Sequence, residues 1–426
     1  MNFSLRRIKK IVELIEQEGE SVDKLASNLQ QSSCSEMGSS IPMKESYGVE
    51  GQQARLDFIE SQRALSLDAL RGQKVFTELD SLKGNIEHYI GMTQVPTGII
   101  GPLKVKGIYA SGDYYLPLAT TEGALVASYH RGVKACSISG GVTSVFMAEG
   151  VQRSPLFKFK NIPQAGKFAI WVAEQLEQLK KITSESSRYA QLQNMDTKIQ
   201  GNEVILTFEY STGDAAGQNM VTICTQAICE FLLLAAPVKP VHWYIESNYS
   251  GDKKANAVAF SRVRGKKVTA EVVVPEAIVN QILRSTPQKM ANYWQSSTVA
   301  VLQSSSIGAQ GHFANGLAAL FLACGQDVAC VSEAAVGITR MEVNQAGDLY
   351  ASVTVPNLII GTVGGGTFLP TQAECLKIMD CYGSGNSRKF AEICAAMLLG
   401  GELSIAAALS SGHFTHAHQQ FGRKKS

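Results

Sequence analysis

The stretch AQLQNMDTKIQGNEVILTFEY, residues 190–210, predicts two consecutive β-strands and decides the predicted fold. A strand, LFKFK (156–160), and a helix, AGKFAIWVAEQLEQLKKI (165–182), precede it. A second helix, AAGQNMVTICTQAICEFLLL (215–234), and a last strand, VHWYIES (241–247), follow it. The order βαββαβ is typical of the ferredoxin-like arrangement. We therefore expect a compact α+β unit in this part of the chain.

The sequence on both sides of this unit has a different style, rich in Ala and punctuated by Gly. We predict that residues 155–249 form a ferredoxin-like domain inserted into a large helix-rich domain made of residues 81–154 and 250–426. Residues 1–80 carry charged helical patterns around a Ser/Gly-rich break, QQSSCSEMGSS (30–40), which predicts a small helical N-terminal region with a mobile joint. The predicted fold class is α+β with these three parts.

Two Ala-rich stretches, residues 296–327 and 387–412, predict long helices in the large domain. Small residues along both stretches favour closely packed helices or a subunit interface. An ordinary Ala-rich core explains the same pattern, and the residues alone do not decide between these alternatives.

Composition excludes several classes of partner. The chain has 426 residues, 45% hydrophobic and 18% charged, with a formal net charge of +2, which favours neither nucleic acid nor a membrane surface. The longest apolar run, AICEFLLLAAPV, carries Glu230 and is too short for a membrane span. We therefore expect small-molecule ligands and further copies of the same chain as partners.

The cysteines indicate the compartment. Nine cysteines are scattered along the chain without a CxxC motif, and several lie in apolar helical runs. An odd number without a signal peptide is typical of a reducing compartment. We expect a cytoplasmic protein.

One carboxylate, Glu122, lies in the small and apolar stretch PLATTEGALVASYHRG (117–132). The pattern predicts a helix with a threonine as its N-cap and Glu122 in its first turn. An acid there stabilises the helix dipole. Alternatively, apolar surroundings raise its pKa so that it donates a proton near neutral pH.

Two further segments carry charged residues with either a structural or a functional role. Asp252, Lys253 and Lys254 follow a predicted strand, either as a solvated turn or with a lysine placed to stabilise an oxyanion. Asp327 follows a helix stop at Gly325 and is either a turn aspartate or a site residue.

Three histidines, His413, His416 and His418, lie in the C-terminal stretch GHFTHAHQQFGRKKS. No acid or cysteine ligand lies near them, so we predict no metal site. A solvated tail and a proton-donating imidazole remain as alternatives.

Glycine-containing segments indicate whether the chain carries a known nucleotide-binding motif. Asp214, in YSTGDAAGQNMV, is placed to cap the helix that follows, and helix N-termini bind phosphates. GTVGGGT (361–367) lacks the Lys-Ser/Thr of a P-loop, and no GxGxxG follows a strand. We expect GTVGGGT to permit close backbone packing.

Seven motifs in a fixed order go beyond these local patterns: IGMTQVPTGIIGPL (90–103), ATTEGALVAS (119–128), TGDAAGQNM (212–220), DKKANA (252–257), GQDVA (325–329), IGTVGGGT (360–367) and GELSIAAALSSGHFTHAH (401–418). Together they resemble the hydroxymethylglutaryl-CoA (HMG-CoA) reductase family over roughly residues 80–423, as a soluble microbial form most like the animal-type branch. The resemblance implies reduction of HMG-CoA to mevalonate by two hydride transfers from NADPH.

The same resemblance implies a role for each catalytic residue. Lys253 would stabilise the oxyanion of the thioester, and His418 would protonate the departing CoA thiolate. Glu122 would protonate the aldehyde oxygen in the second reduction, and Asp327 would couple Glu122 to Lys253 by charge and hydrogen bonding.

Binding residues are also implied by the resemblance. Arg153 matches the arginine that binds the substrate carboxylate, and Ser187 with Arg188 match positions near the adenosine 2′-phosphate. The further substrate-binding residues are Lys254, Asp252, Ser128, Arg131 and Asn315. The further cofactor-binding residues are Tyr189, Asp214, Gln218, Asn219 and Met220. The family assembles as dimers or tetramers with active sites between subunits, so a homodimer or homotetramer is implied.

The chain departs from the family pattern at Glu246, Gln295 and His130, which replace Ser, Lys and Asn of animal-type members. Lys424 stands in place of their regulatory phosphoserine, and we expect neither that control nor their membrane anchor. Two alternative functions remain: NAD-linked oxidative breakdown of mevalonate, and a catalytically silent CoA-binding homologue.

Overall fold

The computed structural model describes residues 38–412 together with Glu13. The three C-terminal histidines, His413, His416 and His418, and most of the predicted break at residues 30–40 lie outside the described residues. The strands are β1 (Thr97–Gly107), β2 (Ser111–Ala119), β3 (Val142–Arg153), β4 (Leu156–Lys158), β5 (Gln191–Gln200), β6 (Glu203–Ser211), β7 (His242–Tyr244), β8 (Gly265–Val274), β9 (Ile338–Val343) and β10 (Leu349–Leu358).

The α-helices are α1 (Val49–Arg63), α2 (Leu125–Ile138), α3 (Ile162–Ala173), α4 (Leu176–Ser186), α5 (Gln218–Ala235), α6 (Glu276–Ile278), α7 (Pro287–Gln303), α8 (Phe313–Ala323), α9 (Val331–Ala334), α10 (Pro370–Ile378) and α11 (Ser387–Ser410). Single turns of tighter or wider helix lie at Leu79–Leu82, Ala257–Phe260, Val279–Leu283, Val328–Cys330 and Gly365–Phe368. Helix α1 is the described helix of the predicted N-terminal region.

The strands form one sheet in the order β7-β4-β6-β3-β8-β10-β9, with β5 on β6, β1 on β3 and β2 on β1. Within the stretch that predicted the fold, the order is β7-β4-β6-β5 and every neighbouring pair is antiparallel. This is the strand order 4-1-3-2 of a ferredoxin-like unit, and the predicted α+β class is confirmed. The last three residues of β3 pair with β6, so this strand links the two parts of the sheet.

Two apolar clusters lie on the two parts of the sheet. One is built from residues between Val151 and Ala236, with Phe157, Phe168 and Phe208 fully buried. The other surrounds α11, whose middle is buried on every side. The domain bounds themselves stay a prediction.

Helices α2 and α11 cross at two glycines. A Cβ on Gly132 would lie 1.7 Å from the carbonyl oxygen of Gly400. Only glycine permits this approach, because any other residue places a carbon inside the neighbouring backbone. Glu122 lies on the segment that precedes α2.

Two predicted helices are each interrupted. The stretch 165–182 forms α3 and α4, because the N–H groups of Glu174 and Gln175 donate to carbonyls three residues back and tighten the chain. The stretch 296–327 forms α7 and α8. Between them Ala309 hydrogen-bonds with Gly337 and Thr339, so the chain follows β9 and not a helical path.

Helices α5 and α11 are long and apolar enough to span a membrane by length and composition alone, contrary to the sequence expectation. The fold accounts for α11, because 83% of its most apolar window is buried in the protein. Helix α5 packs Cys224, Ile228 and Leu232 into the ferredoxin-like unit and leaves Leu234 exposed.

Candidate functional site

Lys253 lies on the loop after β7 with its backbone in the left-handed region, at a φ of 55°. Its N–H donates to Oε1 of Glu333 at 3.2 Å, which holds this conformation. Its Nζ lies 2.8 Å from Oδ2 of Asp327. The hydrogen bond with Asp327 raises the pKa of Lys253, so the lysine carries its charge at neutral pH.

Asp327 follows α8 after Gly325, whose φ of 65° ends the helix as predicted. Its Oδ1 accepts a hydrogen bond from the N–H of Ala329 at 3.0 Å, which caps a short helical turn. Its other oxygen faces Lys253. Asp327 is thus both a turn residue and the partner of Lys253.

A buried ionic network lies beside this pair. The Arg264 guanidinium donates to Oδ1 of Asp252 at 2.6 Å and forms an ion pair with Glu333. Glu333 is fully buried, and burial raises its pKa although Arg264 opposes the change. Since Glu333 also accepts the N–H of Lys253, the network sets the position of the lysine.

Sequence reasoning missed Arg264 and Glu333. Glu333 lies in the small and apolar segment VSEAAVG. That is the signal that singled out Glu122, so the same criterion finds it.

Arg153 belongs to the same network. Its Nη1 lies 3.1 Å from Oδ2 of Asp252 and 3.4 Å from Oε2 of Glu246, and its Nη2 donates to the carbonyl of Gln218. Burial, the largest single effect, favours a higher pKa for Asp252, but Arg264 and Arg153 together lower it. The carboxylate of Asp252 is therefore held in its charged form.

Glu122 does not lie where the sequence placed it. Helix α2 begins at Leu125 with Ala124 as its N-cap, so Glu122 precedes the helix and no threonine caps it. Both of its carboxylate oxygens accept hydrogen bonds from Asn315, at 3.0 and 2.9 Å. Glu122 is exposed, so the described residues do not supply the predicted apolar surroundings.

The structure does not bring Glu122 to the lysine. Among residues 38–412, no hydrogen bond or ion pair joins Glu122 to Lys253 or Asp327. Asn315 lies in the first turn of α8, and Asp327 follows the other end of that helix. The rise from Asn315 to Ala323 is about 12 Å. Within residues 38–412 of one chain, Asp327 contacts Lys253 and not Glu122, and the predicted coupling of all three stays a prediction.

Asp214 does not cap α5. The N-cap of α5 is Gly217, with no side-chain hydrogen bond, and the Asp214 carboxylate accepts the N–H groups of Gly385 and Ser387 at the start of α11. Burial favours a higher pKa for Asp214, but these hydrogen bonds outweigh it and lower the pKa.

The other predicted cofactor residues surround the start of α5 and the end of α4. Asn219, Arg188 and Tyr189 are exposed, and Ser187 accepts the N–H groups of Tyr189 and Ala190. Two of the predicted cofactor residues instead contact other parts of the protein. Gln218 accepts a hydrogen bond from Arg264 at 3.0 Å, and Met220 packs against the apolar cluster.

The segment GTVGGGT packs closely against backbone, as expected. A Cβ on Gly361 would lie 2.6 Å from the nitrogen of Ala216, and one on Gly366 would lie 3.0 Å from the carbonyl oxygen of Gly325. The N–H of Gly361 also donates to Gln326 at 2.8 Å. The segment thus joins the start of α5 to the turn that carries Asp327.

The remaining predicted substrate residues occupy two places. Ser128 and Arg131, on α2, both hydrogen-bond with Ser404 on α11, with the Arg131 Nη2 2.6 Å from the Ser404 carbonyl oxygen. Lys254 is exposed and donates to the carbonyl of Asp252 at 3.0 Å.

His312 and Glu402 are further residues that the sequence did not single out. Glu402 is buried and accepts the N–H groups of Gly311 and His312, and burial raises its pKa. His312 stacks on Tyr129 at 4.8 Å, and burial lowers its pKa. The nearby charge of Glu122 favours the protonated form of His312 but does not outweigh burial.

Two departures from the family pattern lie apart from the ionic network. Gln295 is exposed on α7. Burial lowers the pKa of His130 to about 4, and Lys44 and Lys134 add to that effect. The described residues contain no group of three or more His, Cys, Asp and Glu side chains placed to hold a metal.

Comparisons with known proteins agree with the motifs. The family model of hydroxymethylglutaryl-coenzyme A reductase matches residues 51–423. The 3-hydroxy-3-methylglutaryl-coenzyme A reductase of Pyrococcus horikoshii is 46% identical over 80% of this chain and 84% of its own length. That of Methanocaldococcus jannaschii is 40% identical over 87% and 92%.

A solved structure has a similar fold. It is the class II 3-hydroxy-3-methylglutaryl-CoA reductase from Streptococcus pneumoniae bound to NADPH, which is 18% identical with a TM-score of 0.69. The similarity covers 86% of this chain and 98% of that one.

Proposed function

This chain belongs to the hydroxymethylglutaryl-CoA reductase family, and we propose that it reduces HMG-CoA to mevalonate and CoA with NADPH. The observation that carries the proposal is the Lys253–Asp327 pair, 2.8 Å apart on a loop that the buried Glu333 and Arg264 hold in place. A charged lysine fixed in advance is what stabilisation of a developing oxyanion requires.

The residues near the start of α5 fit a phosphorylated dinucleotide. Gly217 leaves this helix end without a side-chain cap, and helix N-termini favour phosphate groups. Exposed Arg188 lies after α4 and supplies a positive charge suited to a 2′-phosphate. When bound, a reduced nicotinamide would supply one hydride, and each of the two reductions would consume one molecule of the cofactor.

Protein side chains then handle the charges and protons. Lys253 stabilises the oxyanion at the thioester carbonyl, and Asp327 orients the ammonium group through its hydrogen bond. His418 gives a proton to the departing thiolate of CoA. Glu122 gives a proton to the aldehyde oxygen in the second reduction. Arg153 binds the free carboxylate of the substrate through its guanidinium.

A second subunit completes this site. Glu122 and the Lys253–Asp327 pair lie at opposite ends of α8, so one chain does not present both to the same substrate atom. We infer that another copy of the chain, in a homodimer or homotetramer, brings the second of these groups to the substrate. Closure by that copy also covers the exposed Glu122 and supplies the apolar surroundings that raise a carboxyl pKa.

The compartment follows from the thiols. The described cysteines are unpaired and buried, and buried thiols behave as small apolar groups. Scattered free cysteines suit a reducing environment, so we place the enzyme in the cytoplasm.

A spectrophotometric assay of the purified chain tests the proposal. HMG-CoA should oxidise NADPH, and mevalonate should be recovered as product. A preference for NAD with mevalonate as substrate would favour oxidative breakdown instead, and a folded chain inactive with either cofactor would favour the catalytically silent homologue.

A further inference from the structure

Arg153 and Glu246 each have one buried polar atom that no described residue pairs with. Among residues 38–412, neither the Nε of Arg153 nor the Oε1 of Glu246 has a hydrogen-bond partner. The Arg153 side chain is 8% exposed and that of Glu246 is 18% exposed, so neither is an ordinary surface charge. An unpaired buried donor and an unpaired buried acceptor are costly to the folded state. Both atoms therefore have hydrogen-bonding capacity that the described residues do not use.

The contact between the two residues is loose. One pair of atoms, Nη1 and Oε2, lies 3.4 Å apart. An arginine and a carboxylate at their best form two parallel hydrogen bonds of about 2.7–2.9 Å. Oε2 of Glu246 also accepts the N–H of Ser154 at 3.2 Å, a bond that does not depend on Arg153. Glu246 therefore contacts the Arg153 guanidinium but leaves part of its hydrogen-bonding capacity unused.

Around Arg153 and Glu246, negatively charged side chains outnumber positively charged ones. Two guanidinium groups, Arg153 and Arg264, face the carboxylates of Glu246, Asp252 and Glu333. A carboxylate that enters from the substrate meets Glu246 at the same arginine, and two carboxylates close together repel each other. Asp252 does not release Arg153 easily, because it bridges both arginines.

We propose that Glu246 is a specificity-determining residue that competes with the free carboxylate of the substrate for Arg153. The substrate carboxylate pairs with Arg153 only after Glu246 gives up its contact, so Glu246 weakens substrate binding without taking part in hydride or proton transfer. The proposal rests on the proposed function in naming the substrate carboxylate as the competitor.

Two variants of the full chain test this competition. Glu246→Ser removes the carboxylate and restores the residue that the family pattern has at this position, and Glu246→Gln removes the charge at constant size. Glu203→Gln is the matched control, since Glu203 pairs with Lys158 at 3.3 Å in the same part of the sheet and does not contact Arg153. The probe is 3-hydroxy-3-methylglutarate, titrated calorimetrically into each folded chain, with KM and kcat for HMG-CoA as the second measurement.

Both Glu246 variants should bind the probe about tenfold more tightly than the wild type, which corresponds to 1.4 kcal/mol. They should lower KM for HMG-CoA with little change in kcat, and the control should change neither quantity. Unchanged or weaker binding of the probe overturns the proposal, because Glu246 then only positions Arg153. Should the Ser variant not fold, as judged by its thermal transition, the Gln variant decides.

The two proposals fail in different ways. A wild-type chain that does not reduce HMG-CoA overturns the proposed function, yet tighter binding of the probe to the variants still supports competition at Arg153. Reduction of HMG-CoA with equal KM in all four chains leaves the function intact and overturns the role of Glu246.

Discussion

The Nζ of Lys253 lies 2.8 Å from Oδ2 of Asp327, and both side chains are 43% exposed. An ion pair with that exposure contributes about 0–1 kcal/mol to stability. The left-handed backbone of Lys253 costs about 1–3 kcal/mol. The pair is therefore not maintained for stability, which is consistent with the proposed role of Lys253 in catalysis.

Lys253→Ala should reduce the rate of HMG-CoA reduction by at least about a hundredfold, the usual loss when a transition-state donor is removed. The thermal transition should stay close to that of the wild type, because the ion pair stabilises the fold little. Lys254→Ala should have a milder effect on kcat, since among the described residues the Lys254 ammonium group hydrogen-bonds only with the Asp252 carbonyl. A Lys253→Ala chain that keeps most of the wild-type turnover contradicts the assignment.

His418→Ala should lose reduction of the thioester and keep reduction of supplied mevaldehyde. The reason is that no thiolate leaves in the second half-reaction, so no proton donor to sulfur is needed there. Assays with HMG-CoA and with mevaldehyde separate the two steps. His413→Ala and His416→Ala are the controls, and equal losses in both assays of His418→Ala would give His418 a different role.

The wild type should prefer NADPH over NADH by about tenfold to a hundredfold in kcat/KM. A hydrogen bond to a charged group contributes about 1.5–3 kcal/mol, and each 1.4 kcal/mol is tenfold. Arg188→Ala should remove this preference by weakening the use of NADPH alone. Lys181→Ala, which changes an exposed side chain on α4, is the control. An unchanged ratio means that Arg188 is a solvated residue without a ligand.

Gly132→Ala should lower the free energy of unfolding by about 1–3 kcal/mol or more, because the added methyl overlaps the Gly400 carbonyl and forces α2 away from α11. Gly166→Ala is the matched control in α3, where a Cβ meets nothing within 4 Å. It should stabilise the chain by about 0.5–1 kcal/mol. Urea unfolding measures both, and a neutral Gly132→Ala contradicts the observed crossing.

Glu392 should make the stability depend on pH. Burial raises its pKa from the usual 4.5 to about 7, although its oxygens accept the N–H groups of Ile108, Tyr109, Ala110 and Phe146. The folded chain therefore binds this proton more tightly than the unfolded chain. The resulting stabilisation is fully present below about pH 4.5 and is lost as the pH rises through 7.

Urea unfolding near pH 5 and pH 8 checks this dependence in the wild type and in Glu392→Gln. The variant should be less stable at both values, because its amide NH₂ faces backbone N–H donors. The difference between the two chains should be larger near pH 5. Equal differences at both values show that Glu392 does not titrate in this window.

The local signals of the sequence were sufficient for much of the fold. Alternating and helical periods predicted the βαββαβ order, and Gly325 predicted the end of α8 before Asp327. The seven motifs in order led to the family. These inferences hold because strand and helix periods, and the need for glycine at left-handed positions, depend on neighbouring residues alone.

Isolated carboxylates show what the sequence alone does not predict. Glu122, Glu333, Glu392 and Glu402 all lie in small and apolar stretches, and one pattern describes them. The tertiary structure leaves Glu122 exposed and buries the other three against backbone N–H groups or Arg264. The burial and the partners of a charged side chain depend on elements that are distant in the chain. The pairs Lys253–Asp327 and Arg153–Glu246 are examples. Sequence alone determined which groups carry charge, whereas tertiary packing decided which of those charges meet, because electrostatic and hydrogen-bond energies depend on distance in space and on exclusion of water.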